Sequence, residues 1–274
     1  MVPELRIRPS DEDKVLLPSD AHDEVRRWAG NPELELFGYS AGAHSWIHVP
    51  DHATFRFGRG TSRVDAFAAA GADPSALRDL YERSVLPLVL QAEGHQVLHA
   101  SAVRDGGNVI AFVGASRSGK STLAYALAQR GFPLWADDAV AFDGSRATVV
   151  STPLPFTPRL RPSAKLALTH SPQTVERPTG RGDASLACIV LLRPDEDGDP
   201  KLERLRRAEA FPAVLPHAYC FSLADRTRNR ELIGEYLRLV ERVPVWRVRF
   251  PRRPEHLPQT VDELERLIGA ATTA

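Results

Sequence analysis

The sequence has little cysteine and no long apolar run, and each shortage excludes a class of protein. Two cysteines, Cys188 and Cys220, are too few for a disulfide-stapled secreted domain. No stretch of about 18 consecutive apolar residues is present, so no transmembrane helix is expected. The charged start, MVPELRIRPSDEDKV, lacks the apolar segment of a signal peptide. We therefore expect a cytoplasmic protein with reduced thiols.

Net charge is also lacking. The 35 Lys and Arg residues balance 35 Asp and Glu residues, so no overall field favours nucleic acid or an anionic membrane as a partner. Hydrophobic residues make up 43% of the chain and charged residues 26%, which is typical of a globular protein and excludes disorder, collagen and coiled coil. A length of 274 residues fits one large domain, or one core with a smaller appendage.

Hydrophobic patterning divides the chain into two regions. Residues 33–70 alternate in short β-like runs broken by Gly, Pro, Asn and Asp, which predicts a small β-meander. A helix is expected next, with Asp73 as its N-cap and Gly94 at its end. We therefore predict a β-rich N-terminal region over residues 1–94 and an α/β domain with a mixed sheet over residues 95–274.

The second region begins as strand, loop, helix, strand and hairpin, through NVIAFVG, KSTLAYALAQRG and PLWADDAVAF. Residues 169–183 are polar and without periodicity, which predicts a surface loop. SLACIVLLR is predicted as a buried strand with KLERL pairing back on it, and PVWRVRF as a final strand. Thr260 and Glu263 have the spacing of a capping box for a last helix.

Residues 114–121, GASRSGKS, match the eight-position Walker A pattern at every fixed place. Its glycines allow successive backbone N–H groups to face phosphate oxygens, and the following helix adds the positive end of its dipole. In this pattern Lys120 reaches the β- and γ-phosphates and the Ser121 hydroxyl binds Mg²⁺. The alternative is a glycine-rich turn that binds nothing. The candidate ATP-binding residues are Gly114, Ala115, Ser116, Arg117, Ser118, Gly119, Lys120, Ser121 and Thr122.

Two neighbouring carboxylates, Asp137 and Asp138, end the strand that follows the P-loop helix. Neighbouring strand residues point to opposite faces, so the two carboxylates can share a task only if the strand has already ended. One can hold Mg²⁺, and the other can face the group that receives phosphate and accept its proton late in the transfer. An exposed acidic turn is the alternative.

His99, in VLHASAV, lies shortly before the strand that leads into the P-loop. If the two strands are neighbours, its ring reaches the same edge of the sheet and can orient an aspartate or the acceptor. A histidine of the core, or one that caps a strand, is the alternative interpretation.

Three segments together, LHASAV, GASRSGKSTLAYALAQRG and FPLWADDAVAF, resemble the catalytic domain of HPr kinase/phosphorylase. The likeness is greatest to the short HPr-kinase-like proteins of peptide-modification gene clusters, including lasso peptide kinases, and ATP-dependent phosphoenolpyruvate carboxykinases share the arrangement. It is specific over residues 97–143 and weaker over 153–164 and 242–252. Residues 1–94 do not resemble the N-terminal domain of true HPr kinases, and the C-terminal phosphorylase signature is not found.

The resemblance implies ATP and Mg²⁺ as cofactors and four catalytic residues, Asp138, Asp137, His99 and Lys120, with Ser121 and Asp137 as the metal ligands. We expect a kinase that transfers the γ-phosphate to a Ser or Thr hydroxyl of a peptide or small protein. Flanking arginines, such as Arg117, Arg159 and Arg161, can neutralise phosphate or bind an acidic partner. A regulatory ATPase module and a small-molecule hydroxyl kinase stay open as alternatives, as does a homo-oligomer.

Overall fold

The computed structural model describes residues 2–8, 26–27, 35–58, 60, 62–156, 182–195, 198–221 and 225–272. The polar segment 169–181, Arg159 and Arg161 lie outside these residues. The chain divides into two compact units, Met1–His95 with Tyr219–Glu231, and Gln96–Ala218 with Leu232–Ala274. The segment 219–231 therefore groups with the N-terminal unit, whereas the sequence analysis assigned it to the second region.

The described residues form fifteen strands and six α-helices. The strands are β1 (Glu4–Arg8), β2 (Arg26–Arg27), β3 (Phe37–Ala41), β4 (His44–Val49), β5 (Ala53–Gly58), β6 (Arg63–Ala68), β7 (Gln96–Leu98), β8 (Ala100–Asp105), β9 (Asn108–Val113), β10 (Leu134–Ala136), β11 (Val140–Asp143), β12 (Val150–Thr152), β13 (Ala184–Asp195), β14 (Lys201–Arg204) and β15 (Val245–Pro251). The helices are α1 (Pro74–Leu80), α2 (Leu86–Ala92), α3 (Lys120–Ala128), α4 (Arg207–Val214), α5 (Arg226–Arg242) and α6 (Leu257–Thr272). Among the described residues, no helix combines the length and apolar character needed to cross a membrane.

The first unit contains a six-stranded sheet in the order β1-β6-β5-β4-β3-β2. Strands β3 to β6 form the expected antiparallel meander. Strand β1 adds to β6 in parallel, a pairing that the sequence analysis did not predict. Alternate side chains of β4, β5 and β6 are buried, which gives the sheet one apolar face: Ile47, Val49, Phe55, Phe57, Val64 and Ala66.

The predicted helix of the first unit is present, with its cap as expected. Asp73 accepts hydrogen bonds from the backbone N–H groups of Ser75 and Ala76. Between α1 and α2 the chain widens into a π-helical turn, Tyr81–Val85. Pro87 follows that turn and has no N–H for an i→i−4 bond, so a locally wider helix removes the clash that a proline ring would cause.

The second unit contains a nine-stranded mixed sheet whose main path is β10-β8-β9-β13-β12-β11-β7. Strands β9 and β13 run parallel, as do β13 and β15. Strand β14, the KLERL segment, pairs with β15 and not with β13, so that predicted pairing is wrong. The reason is that β15 runs parallel to the carboxyl half of β13 and thereby separates β14 from it. The predicted α/β class with a mixed sheet is confirmed.

Helices α3 and α6 cover one face of this sheet. Leu123 and Leu127 of α3 pack in the same buried cluster as Leu264 and Leu267 of α6. The predicted capping box of the last helix is wrong, because Thr260 lies inside α6 and its Oγ1 donates to the His256 carbonyl at 3.0 Å. A short 3₁₀ turn, Pro254–His256, leads into the helix instead.

Candidate active site

The Walker A segment connects β9 to α3, as the sequence predicts. Every residue of β9 except Asn108 is buried, and α3 begins at Lys120. Between them the backbone takes left-handed conformations at Gly119 (φ +97°) and at Arg117 (φ +64°). A non-glycine residue rarely holds this conformation without a reason, so the loop geometry at Arg117 is maintained against local strain.

The loop folds tightly at Gly114. A Cβ atom added there would lie 2.6 Å from Ser118 Oγ and 3.1 Å from the Leu192 carbonyl oxygen, so only glycine fits. Ser118 is 2% exposed, and its Oγ has no hydrogen-bond partner among the described residues. A buried hydroxyl without a partner costs free energy and is a feature of sites that await a polar ligand.

Lys120 is the buried cation of the loop. Its side chain is 7% exposed, and Nζ donates to the carbonyl oxygens of Gly114 at 3.0 Å and Ala115 at 3.2 Å. Burial lowers the pKa of Lys120, while the nearby charges of Asp138 and Asp137 act in the opposite direction. The ammonium group of Lys120 is thus held against the loop backbone, within electrostatic reach of both aspartates.

Asp137 lies directly after the end of β10 and holds two hydroxyl groups. Its Oδ1 accepts from Ser121 Oγ at 2.7 Å and from Ser101 Oγ at 2.8 Å. The carboxylate is buried, with 5% exposure, and β8 and β10 pair through Ala102 and Ala136 beside it. The structure thus brings together the hydroxyl and the carboxylate that the sequence analysis named as metal ligands.

Asp138 has a different environment although it is the next residue. The strand has already ended, and Asp138 takes a left-handed conformation with φ +72°. This break in the strand removes the strict alternation of faces, which explains why Asp138 and Asp137 both act on the pKa of Lys120. The two carboxylates are therefore near the same loop but have different contacts.

His99 lies between β7 and β8 and is anchored at both its backbone and its ring. Its N–H donates to the His217 carbonyl at 2.7 Å, and its Nδ1 lies 3.1 Å from the Asp138 carbonyl oxygen. Because a carbonyl oxygen can only accept, Nδ1 carries the proton. Burial, followed by the charge of Lys120, lowers the pKa of His99 despite the opposing effect of Asp138. The ring is therefore neutral near pH 7, and Nε2 is an acceptor.

The Walker A loop, Asp137, Asp138 and His99 together form the P-loop edge of the second unit. Three further residues at this edge were not predicted from the sequence. Ser101 follows His99 by two positions and thus falls on the same strand alternation, a signal that could have identified it. His217 and Arg193 come from distant segments and carry no local signal. Burial, and then the nearby Lys120, His99 and Arg193, lower the pKa of His217 to about 4, so all three lie within electrostatic reach of His217.

Other predicted site residues lie at the rim. Ala115, Ser116 and Arg117 are exposed on the loop, and Thr122 is half-buried in the first turn of α3. Among the described residues, no group of three or more His, Cys, Asp or Glu side chains is placed to hold a metal ion. A Mg²⁺ ion bound through one carboxylate, one hydroxyl and phosphate oxygens does not require such a group.

No protein-family model matches the chain, and no curated protein matches it significantly. Among solved structures, the Hpr(Ser) kinase/phosphatase from Coxiella burnetii is similar at a TM-score of 0.33 and 13% sequence identity, over 64% of this chain and 99% of that chain. A TM-score of this size does not establish a common fold.

Proposed function

We propose that the protein is an ATP-dependent kinase that transfers the γ-phosphate to a Ser or Thr hydroxyl of a peptide or small protein. One observation carries the proposal: the Ser121 hydroxyl of a Walker A loop donates to the Asp137 carboxylate at 2.7 Å, beside a second carboxylate, Asp138. A nucleotide switch needs one acid for its metal. A second acid next to it suits a reaction in which a hydroxyl must be oriented and lose its proton.

The residues present fit Mg²⁺ and ATP. Gly114 lets the loop pack tightly against Ser118 and Leu192, and Ser118 Oγ is a buried polar atom without a partner among the described residues. The hydroxyl of Ser121 and the carboxylate of Asp137 are hard oxygen ligands of the type that Mg²⁺ prefers. The loop N–H groups and Lys120 would hold the phosphates, and Ser121 and Asp137 would hold the metal.

Each residue of the edge then has a role. The metal ion, when bound, supplies charge neutralisation at the phosphates. Asp138 orients the acceptor hydroxyl and takes its proton, while Lys120 stabilises negative charge at the loop. Ser101 fixes the orientation of Asp137 through its hydrogen bond at 2.8 Å. His99 holds the Asp138 backbone through its ring, which keeps the strained left-handed conformation in place.

The proposal is tested by following label from γ-labelled ATP. The protein is incubated with Mg²⁺ and an extract of its source organism, in parallel with Lys120→Ala, Asp138→Ala and the exposed-loop control Asp199→Ala. We expect labelled peptide or protein with the parent and with Asp199→Ala, and none with the other two variants. Label found only in inorganic phosphate would overturn the proposal in favour of a regulatory ATPase, and label in a metabolite would favour a small-molecule kinase.

A further inference from the structure

Three cations of the second unit lie in one register row across three neighbouring strands. Arg193 of β13 is the register partner of Arg249 of β15, and Arg249 is the register partner of Lys201 of β14. Residues directly opposite each other on neighbouring strands project from the same face of a sheet. All three side chains are exposed, so one face of the sheet carries a short basic row.

This row does not serve the stability of the sheet. Like charges directly opposite each other on neighbouring strands are destabilising. Within the described part of the chain, the side chains of these three cations make no hydrogen bond and no ion pair. The adjacent row on the same face differs, because Arg247 makes an ion pair with Glu203 at 3.0 Å. A row of cations without internal compensation is expected where an anionic partner compensates it.

The row starts beside the P-loop. Strand β13 pairs on its other side with β9, in a register that aligns Leu191 with Val113, the last residue before the loop. The Leu192 carbonyl lies 3.1 Å from the position a Cβ would take at Gly114, so the chain at Arg193 is next to the loop. From Arg193 the row leads away from the phosphate site, across β15 to β14.

We propose that Arg193, Arg249 and Lys201 bind an acidic segment of the peptide that receives the phosphate. This inference rests on the proposed kinase function and adds a substrate class to it. Neighbouring strands are about 4.8 Å apart, so the row spans roughly 10 Å, and alternate side chains of an extended peptide are about 7 Å apart. Two acidic side chains of an extended peptide can therefore meet the row at once.

The borders of the row favour a short acidic peptide over a nucleic acid. Glu203 lies two residues after Lys201 on β14, and Asp195 lies two residues after Arg193 on β13, so acidic side chains flank the row along the strands. A continuous phosphate backbone would pass these carboxylates, whereas a short segment crossing the strands avoids them. The zero net charge of the chain also provides no overall attraction for a polyanion such as a nucleic acid.

A binding measurement that needs no phosphate transfer tests this inference. Fluorescence anisotropy is recorded with labelled synthetic peptides in which glutamates, glutamines or lysines flank one serine, and with a single-stranded oligonucleotide of the same charge. The protein is compared with the double variant Arg249→Gln/Lys201→Gln and with Arg204→Gln. Arg204 lies on the same strand as Lys201 but on the opposite face, opposite Trp246, so its substitution shows what the loss of one positive charge away from the row does to binding. Unfolding curves verify that each variant folds.

We expect the glutamate peptide to bind about tenfold more tightly than the glutamine peptide at low salt, and the difference to shrink as salt screens the charges. The double variant should lose this preference, and Arg204→Gln should keep it. Equal binding of the glutamate and glutamine peptides, an unchanged preference in the double variant, or tighter binding of the oligonucleotide would each overturn the inference.

The same peptides separate this inference from the proposed function. If the glutamate peptide binds through the row but receives no label from γ-labelled ATP, the kinase proposal fails while the basic row keeps its ligand. If the serine is labelled at the same rate whichever residues flank it, the kinase proposal stands and the acidic substrate class is wrong.

Discussion

Polar groups are paired near the surface in the sheet of the first unit, whereas at the P-loop edge of the second unit they are buried. In the first unit, Asp65 is held by Arg8 at 3.2 Å and Arg56 at 3.3 Å, so charge is paired near the surface. At the P-loop edge, Lys120 and Asp137 are buried and Ser118 has no partner within the described part of the chain. Burial of charge and of an unpaired hydroxyl reduces stability, and it is a common signature of a functional site.

The same two regions also differ in backbone strain. The first unit has one described non-glycine residue with positive φ, Asp51, in the exposed turn between β4 and β5, where aspartate is tolerated. The P-loop edge has two, Arg117 and Asp138, both among the predicted site residues. This difference supports the proposal that the ligand binds at the P-loop edge of the second unit and not at the sheet of the first.

Removal of the buried cation should have the largest effect. We expect Lys120→Ala to reduce phosphate transfer by about 10²–10³-fold, because a preorganised charge at the phosphates is lost. The measurement is label transfer from γ-labelled ATP under saturating Mg²⁺. Arg130→Ala is the matched control, since Arg130 follows the same helix but pairs on the surface with Asp262 and Glu265. Equal losses in the two variants would mean that the P-loop edge is no more functional than an ordinary surface.

Overpacking the loop at Gly114 should have the next largest effect. Gly114→Ala places a Cβ against Ser118 Oγ and the Leu192 carbonyl, so we expect a loss of about 1–3 kcal/mol in unfolding free energy together with weaker nucleotide binding. Gly107→Ala, in the β8–β9 turn, meets nothing within 4 Å and should change the unfolding free energy far less. Denaturant unfolding and binding of a fluorescent ATP analogue measure the two effects. Normal nucleotide binding by a folded Gly114→Ala would contradict our account of the loop.

A smaller effect is expected at Asp138, where charge and strain can be separated. Asn tolerates the left-handed conformation, whereas Ala adopts it at a cost of about 1–2 kcal/mol. Asp138→Asn should therefore reduce phosphate transfer, by less than Lys120→Ala does, with its unfolding free energy nearly unchanged, and Asp138→Ala should reduce both quantities. Denaturant unfolding with label transfer distinguishes the two variants. Retained transfer in Asp138→Asn would exclude the proposed proton acceptor.

Local sequence signals predicted those elements whose determinants lie within a few residues. The Asp73 cap, the β3–β6 meander and the strand–loop–helix at the Walker A segment are all present. The parallel pairing of β1 with β6 and the position of β14 beside β15 were not predicted correctly, because strand partners distant in sequence leave no local pattern. Thr260 had the spacing of a cap but lies within the helix, since the turn before it begins at Pro254.

The same distinction between local and distant determinants applies to the residues of the candidate site. Residues close to a motif, such as Lys120, Ser121 and Asp137, could be named from spacing, and the structure brings them within hydrogen-bond or electrostatic reach of one another. Arg193 and His217 reach the edge only through strand pairing and a backbone bond to His99, so no periodicity could have revealed them. The end of β10 just before Asp137 could not be predicted either, because the position of that end depends on the pairing of β10 with β8.

The smallest effect should come from the paired charge of the first unit. Burial alone would raise the pKa of Asp65, but the hydrogen bonds and charges of Arg8 and Arg56 outweigh it and lower that pKa below its ordinary value. A lowered pKa in the folded state means that the ionised carboxylate stabilises the fold above pH ~4, and that this contribution disappears as the pH falls through the folded-state pKa.

Asp65→Asn should therefore lose less than about 1 kcal/mol of unfolding free energy at pH 7 and lose nothing in strong acid, because exposed and half-exposed ion pairs contribute little. Denaturant unfolding as a function of pH measures both values, and phosphate transfer at pH 7 should equal that of the parent. A reduction of phosphate transfer in Asp65→Asn as strong as that in Lys120→Ala would contradict this difference between the units, because residues of the first unit would then contribute to phosphate transfer.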